Sequence, residues 1–357
     1  MNLPRAGNCV REKRIRFSGA GKDSGVAIID RYARNINYLR VSVTDRCNLR
    51  CAYCMPKEGL SRIGHDDILR YEEILRIIRV AAGMGITKVR ITGGEPLVRR
   101  GVVEFIASLR AVPEITDISL TTNGILLEDC AEALFAAGIK RINVSLDSLN
   151  AEKYARITRG GELRNVLRGI QKAREVGFSP IKINTVAIKG VNDDEIAEFA
   201  RLTLSNPYQV RFIELMPLGT AGGENNGRYL ANDFIRERIG QIGRLDPVNG
   251  NSRKNDGPAQ IYRLAGGAGE IGFISPVSRH FCDSCNRLRL TADGFLRSCL
   301  LVDDEMDLKG PLRAGCGDSG IEDLIRQAIL RKPRQHEVIC EEGLVKKCMK
   351  EMPAIGG

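Results

Sequence analysis

Cys47, Cys51 and Cys54 stand within eight residues, spaced C-x3-C-x2-C in the run CNLRCAYCMP. Thiolates this close together hold metals. In an iron–sulfur cube each iron takes one outer ligand, so three cysteines leave one iron open to a small molecule. An open iron beside a bound electrophile is a reaction centre. A zinc site would need a fourth ligand, and His65 lies 11 residues beyond Cys54. A second group, Cys282, Cys285 and Cys299, has C-x2-C, then thirteen residues, then the third cysteine. RLRLT and FLRSC flank Ala-Asp-Gly, a hairpin signal with glycine available for the left-handed position. Placing Thr291 opposite Phe295 sets Arg289 against Arg297 and Arg287 against Cys299, which returns Cys299 to Cys285. Strand alternation turns Arg287 and Arg289 to the side of Cys299, and Leu288 and Leu290 away. Those guanidinium forks suit a phosphate or a purine edge. The residues alone leave two readings of this triad: a cluster with an open iron, or structural zinc completed by His280.

Positioning such groups takes a rigid frame, and from residue 39 the chain supplies a rhythm. The segments 39–44, 88–94, 117–124, 141–147, 181–188 and 209–217 are short and apolar or β-branched. Amphipathic helical stretches alternate with them at 71–85, 102–110, 127–138, 161–177 and 193–204, several ending at Gly83, Gly138 or Gly177. Six strand–helix units in series predict a parallel sheet with helices outside it, as an incomplete (β/α)6 TIM-type barrel. A doubly wound open sheet is the runner-up. Chemistry belongs at the carboxyl ends of the strands. Polar and glycine residues gather there: Thr44-Asp45, Gly93-Gly94-Glu95, Thr121 to Gly124, Ser145 to Asp147 and Glu214 to Pro217.

Residues 1–27 read as a basic flexible extension, with organelle targeting a minor alternative. Residues 28–218 read as the partial barrel and 219–357 as a C-terminal region, opening on the glycine-rich linker or lid GTAGGENNGRY (219–229) and holding a helix at 321–330. No apolar run approaches the roughly 20 residues that cross a bilayer. The net charge of +10 predicts an anionic partner. Grouped cysteines without a secretory leader point to a cytoplasmic metalloprotein. The scattered Cys9, Cys130, Cys316, Cys340 and Cys348 read as buried free thiols.

The C-x3-C-x2-C run, strengthened by GGEP at 93–96, resembles the radical S-adenosylmethionine enzymes. In that family the open iron chelates S-adenosylmethionine, and one electron splits it to a 5′-deoxyadenosyl radical. The resemblance implies cofactor contacts at Tyr53, Gly94, Ser145 and Met216. The second triad running into CNRLRLTADGFLRSCL, with SLDSL (145–149) and NTVAIKGVNDDE (184–195), is similar to the GTP 3′,8-cyclase branch, from about residue 28 to the C-terminus.

That resemblance implies two 4Fe-4S clusters, the one on Cys282, Cys285 and Cys299 binding the guanine of GTP. It places Arg40, Arg90, Thr121, Lys182, Arg211, Arg287 and Arg289 on the nucleotide. Gly356-Gly357 would reach into the active site. The implied reaction takes hydrogen from C3′ of the ribose and joins C3′ to C8, the first step of molybdenum cofactor biosynthesis. An electron-donor protein, a downstream cyclic pyranopterin monophosphate synthase and a homodimer are expected on the same ground, and neither a membrane nor a nucleic acid partner is. An alternative keeps the radical chemistry but acts on a peptide or tRNA, with the second cluster auxiliary.

Overall fold

The computed structural model describes residues 27–61, 63–219, 227–248, 257–336 and 348–356, and the backbone of 16–18. Within the stretch expected to be a flexible arm, β1 (Arg16–Ser18) is a strand paired antiparallel with β2 (Ala27–Ile29). The rest of residues 1–26 lies outside the described residues.

The six expected strands are β3 (Tyr38–Ser42), β4 (Lys88–Thr92), β5 (Asp117–Thr122), β6 (Ile142–Ser145), β7 (Ile181–Ala187) and β8 (Gln209–Glu214). They lie side by side in chain order, all parallel. Helices follow them in turn: α1 (Tyr71–Met84), α2 (Val102–Ser108), α3 (Leu127–Ala136), α4 (Ala151–Thr158), α5 (Leu163–Val176), α6 (Ile196–Ser205) and α7 (Asn232–Gly240). Period-2 alternation gives the strands two unlike faces. Leu39, Val41, Val89, Ile91, Leu120, Ile142, Val144, Ile183, Val210 and Phe212 are buried in the apolar core shared with the helices. Arg40, Arg90, Thr121, Ser145 and Arg211 face the other way, into the barrel.

Helix α1 shows the outer packing. Ile74, Ile77, Ile78 and Ala81 recur at one-face spacing and are all buried. Its cap is Gly85, at φ 119°, rather than Gly83, which lies inside the helix. A backbone at that φ favours glycine because any Cβ clashes there.

The region after β8 does not stand apart from the barrel. Its strands are β9 (Leu245–Pro247), β10 (Gln260–Leu264), β11 (Glu270–Ile274), β12 (Arg287–Leu290), β13 (Phe295–Arg297) and β14 (Glu305–Asp307). β11 joins β8 in parallel and β12 joins β3 in parallel, so C-terminal strands extend both edges of the six-strand core. Among the described residues the sheet has twelve strands in the order β14-β13-β12-β3-β4-β5-β6-β7-β8-β11-β10-β9. The expected hairpin is present: Arg289 opposes Arg297, and Thr291 N donates to Phe295 O at 2.8 Å. Helices α8 (Lys309–Arg313), α9 (Asp318–Leu330) and α10 (Met352–Ile355) complete the described chain.

Glu73 ties α1 to the β14 edge of this sheet. Its carboxylate accepts from Arg70 N at 2.7 Å, at the start of α1, and from Arg313 Nε at 2.8 Å and Nη2 at 3.0 Å, at the end of α8. The Arg313 hydrogen bonds hold its pKa down at about 2, against the opposing push of burial. A carboxyl with a lowered folded pKa stabilises the fold above the ordinary glutamate range and loses that contribution as pH falls through the folded value. Glu73→Gln is therefore expected to cost about 1.5–3 kcal/mol at neutral pH. The deficit should close as urea melts are repeated from pH 5 toward pH 2. A deficit independent of pH would show that the charge is not what matters.

Candidate active site

Parallel register stacks the inward side chains in rows. One row runs Arg287, Tyr38, Lys88, Asp117 from β12 to β5, and the next runs Arg289, Arg40, Arg90, Ser119. Further round, Thr121, Asn143, Lys182 and Gln209 align, and Ser145, Asn184 and Arg211 form another row. These rows wall a cavity of about 300 Å³. Both cysteine triads line it, together with Arg40, Tyr53, Arg90, Gly94, Thr121, Ser145, Arg211, Met216, Arg287 and Arg289. Lys182 shares the row of Thr121 and is buried, but is not among the lining residues. Gly357 lies outside the described residues.

The first triad follows β3 on a loop clasped by the GGEP turn. Gly94 N donates to Thr44 O at 2.7 Å and Glu95 N to Arg46 O at 2.8 Å. A Cβ on Gly94 would lie 2.6 Å from Arg46 C and 2.8 Å from Asp45 O, so only glycine allows this approach. The buried Glu95 carboxylate accepts from Leu97 N, Thr122 Oγ1 and Asn123 N, binding the turn after β4 to the turn after β5. Burial pushes its pKa up to about 7. Tyr53 donates its hydroxyl to Asp147 Oδ2 at 2.7 Å, which fixes the ring between the second and third cysteines.

The donor set fits an iron–sulfur cluster. Burial pushes the Cys47 thiol up to about 12. Cys51 is raised too, by its hydrogen bond to Cys54 and by burial. Buried thiols of this kind ionise when a metal takes the place of the proton. Leu49 N at 3.4 Å and Asn123 Nδ2 at 3.8 Å point at Cys47 Sγ. A single zinc ion requires its donors to converge on one point about 2.3 Å from each sulfur. The nearby carboxylates that could complete such a set, Glu95 and Asp147, are taken up by hydrogen bonds within the fold. A cube instead accepts thiolates at separate corners.

The second triad differs in charge. Cys285 is lowered: burial pushes it up, but the cations Lys332, Arg287 and Arg289 and a backbone hydrogen bond from Arg287 outweigh burial. His280, the candidate fourth zinc ligand, instead meets the ring of His336 edge-on at 5.6 Å. Arg40, Arg90, Arg287 and Arg289 lie close together with no ion pair among the described residues. Arg40 falls well below the arginine range, first through burial and then through Arg289; Arg289 is pushed down to about 10 by burial and Arg287. Nε of Arg40 and of Arg287, the Tyr38 hydroxyl and Thr121 Oγ1 are buried without hydrogen-bond partners. Such a cluster is costly until an anion enters it.

Gly356 closes the row of Arg289. Its carbonyl accepts from Arg289 Nη1 at 3.2 Å, its φ is 73°, and a Cβ there would lie 2.8 Å from Ser42 Cβ.

Asp147, one of the strand-end polar residues, also lines the cavity, as do Tyr38, Lys88 and Asn184, which were not singled out from sequence. Tyr38 was accessible to the alternation argument, since it precedes Arg40 by two positions on one strand. The Lys88 ammonium lies 5.0 Å from the Tyr38 ring centre, and Arg90 and Arg287 lie 5.6 and 6.0 Å from it.

Residues 41–203 match the Radical SAM superfamily, and residues 208–338 match the family described as Molybdenum Cofactor Synthesis C. The fold is similar to that of Streptococcus suis SuiB bound to S-adenosylmethionine, with a TM-score of 0.55 at 14% identity, covering 85% of this chain and 73% of that one. An incomplete barrel with a C-x3-C-x2-C loop at the strand ends, matched in this way, defines a radical SAM protein, the class built around a 4Fe-4S cluster and S-adenosylmethionine. The GTP 3′,8-cyclase of Pelotomaculum thermopropionicum is 50% identical, covering 92% of this chain and 99% of its own length. That of Moorella thermoacetica is also 50% identical, covering 87% and 95%. The chain belongs to the GTP 3′,8-cyclase family.

Proposed function

We propose that this chain is a radical SAM lyase that converts GTP to 3′,8-cyclo-7,8-dihydroguanosine 5′-triphosphate, the first step of molybdenum cofactor biosynthesis. The observation that carries the reading is the pairing, in one cavity, of two cysteine triads with four arginines, Arg289 buried and Arg40, Arg90 and Arg287 half-buried, that have no carboxylate partner among the described residues. The first triad, Cys47, Cys51 and Cys54, would hold the 4Fe-4S cluster that cleaves S-adenosylmethionine and so supplies a hydrogen-abstracting radical. Tyr53, Gly94, Ser145 and Met216 shape the cofactor's seat, three of them from strand-end loops and Ser145 from the end of β6. The second triad, Cys282, Cys285 and Cys299, would hold a second 4Fe-4S cluster that takes the base.

Arg40, Arg90, Arg287 and Arg289 neutralise the triphosphate, with Thr121 and Lys182 on the same inner wall. Arg211 and the Gly356-Gly357 tail are assigned to catalysis. Arg211 is oriented by Gln209, whose Oε1 accepts from its Nε at 2.6 Å, and Gln209 is in turn held by Glu270 at 2.7 Å. Fixing both ends of the nucleotide matters, because a primary radical takes whichever hydrogen is nearest. No helix among the described residues is long and apolar enough to cross a membrane. A cytoplasmic homodimer, served by an electron-donor protein and feeding a cyclic pyranopterin monophosphate synthase, completes the proposal.

The test is anaerobic turnover with GTP deuterated at C3′. Deuterium should appear in 5′-deoxyadenosine, and cleavage of S-adenosylmethionine should rise with GTP. Cleavage that neither depends on GTP nor acquires deuterium would remove GTP as the substrate and leave the radical machinery standing.

A further inference from the structure

Lys332 stands just past the end of α9, on a segment that neither the nucleotide nor the cofactor assignment uses. Its side chain is buried, and its ammonium makes three contacts: Cys285 Sγ at 3.6 Å, Arg287 O at 2.9 Å and Ser298 O at 2.5 Å. Arg287 begins β12 and Ser298 follows β13, so one ammonium bridges the open end of the hairpin whose two arms carry Cys285 and Cys299. The two carbonyls satisfy its protons without cancelling its charge. No carboxylate pairs with it among the described residues. The neighbouring Arg34 reaches the same triad but as a neutralised pair: its Nη1 donates to Cys282 O at 2.9 Å, while its own charge is matched by Asp30 at 2.6 Å. Burying an ammonium costs several kcal/mol unless an opposite charge compensates it. The groups available for that here are the thiolates of the triad.

We propose that Lys332 is a positioning residue for the second iron–sulfur cluster, holding the Cys285 sulfur and the hairpin arms in place while its charge raises the reduction potential of that cluster. Hydrogen bonds to cluster sulfurs and the net charge around them set such potentials. A cation at the ligand sulfur favours the reduced, more negative state. The proposal rests on the reading of Cys282, Cys285 and Cys299 as cluster ligands.

The experiment compares the reconstituted wild-type protein with Lys332→Gln and Lys332→Arg, measuring iron, sulfide and the midpoint potential of each cluster by redox titration with spectroscopic detection. The first cluster serves as the internal reference. Lys332→Gln should shift the second cluster to lower potential with the first unchanged, and Lys332→Arg should stay near the wild type. Loss of the second cluster alone in Lys332→Gln, with retention in Lys332→Arg, also supports the role of charge. The proposal is overturned if Lys332→Gln keeps the wild-type potential, or if both variants shift or lose the cluster alike. A wild-type protein that takes up iron for one cluster only overturns the cluster reading itself, an outcome distinct from either of these.

Discussion

Deleting Gly356 and Gly357 is expected to abolish cyclisation while the iron content stays at the wild-type level. The tail is not a frayed end at position 356. Residue Cys348 bridges in parallel to Leu218, and Gly219 N donates to Cys348 O at 2.9 Å. Arg297, fully buried, donates to the Cys348 sulfur at 3.3 Å and pairs with Asp303 at 3.0 Å and Glu305 at 2.5 Å. From that anchor α10 carries Gly356 to Arg289 and against Ser42, inside the row of arginines. Removing the glycines takes away an acceptor from Arg289 and the close approach to Ser42, yet removes no residue of either cysteine triad. The assay is product formation beside iron and sulfide analysis. Full turnover in the truncated protein would show that the tail only plugs a gap.

Gly94→Val is expected to separate the two triads by their iron. The added side chain would press on the backbone of Asp45 and Arg46, which leads directly into Cys47, and backbone cannot swing aside as a side-chain tip can. Overpacking of this kind costs about 1–3 kcal/mol where the chain can shift at all. Here the shift would displace the first cysteine loop. Iron should fall to about half the wild-type amount, S-adenosylmethionine binding should be lost, and the second triad, held by the separate β12–β13 hairpin, should keep its metal. Wild-type cofactor affinity in Gly94→Val would mean that the close approach of the two turns does not position the cofactor.

Much of this architecture was legible in the sequence because strand alternation and glycine caps are local signals. All six core strands fall inside the segments read from the sequence, apart from Tyr38 at the first edge. The hairpin register from Arg289 opposite Arg297 followed from the turn alone. What escaped depends on contacts distant in sequence. β11 is a short run beside glycines and becomes a strand by pairing with β8. α4 falls unread between the segments 141–147 and 161–177, although Asn150 caps it by accepting from Lys153 N at 3.0 Å and Tyr154 and Ile157 are buried one turn apart. The cavity residues split the same way: Arg287 and Arg289 followed from strand alternation and Arg40 and Arg90 from the family resemblance, whereas Tyr38 and Lys88 look like ordinary strand residues until the register aligns them. Lys332 had no sequence signal at all, since only the fold brings it to Cys285.

The barrel's inner wall sets stability and function against each other. An interior filled with close-packed aliphatic side chains would hold such a barrel together from within. This one spends its centre on mutually repelling guanidinium groups, so its cohesion comes from the outer layer, where α1 and its neighbours cover the backs of the strands. The empty protein thus carries an unfavourable electrostatic term that a polyanion removes, and binding and resistance to unfolding rise together. Selection for heat resistance alone would replace these arginines with leucine or methionine, and would yield a sturdier barrel with no use.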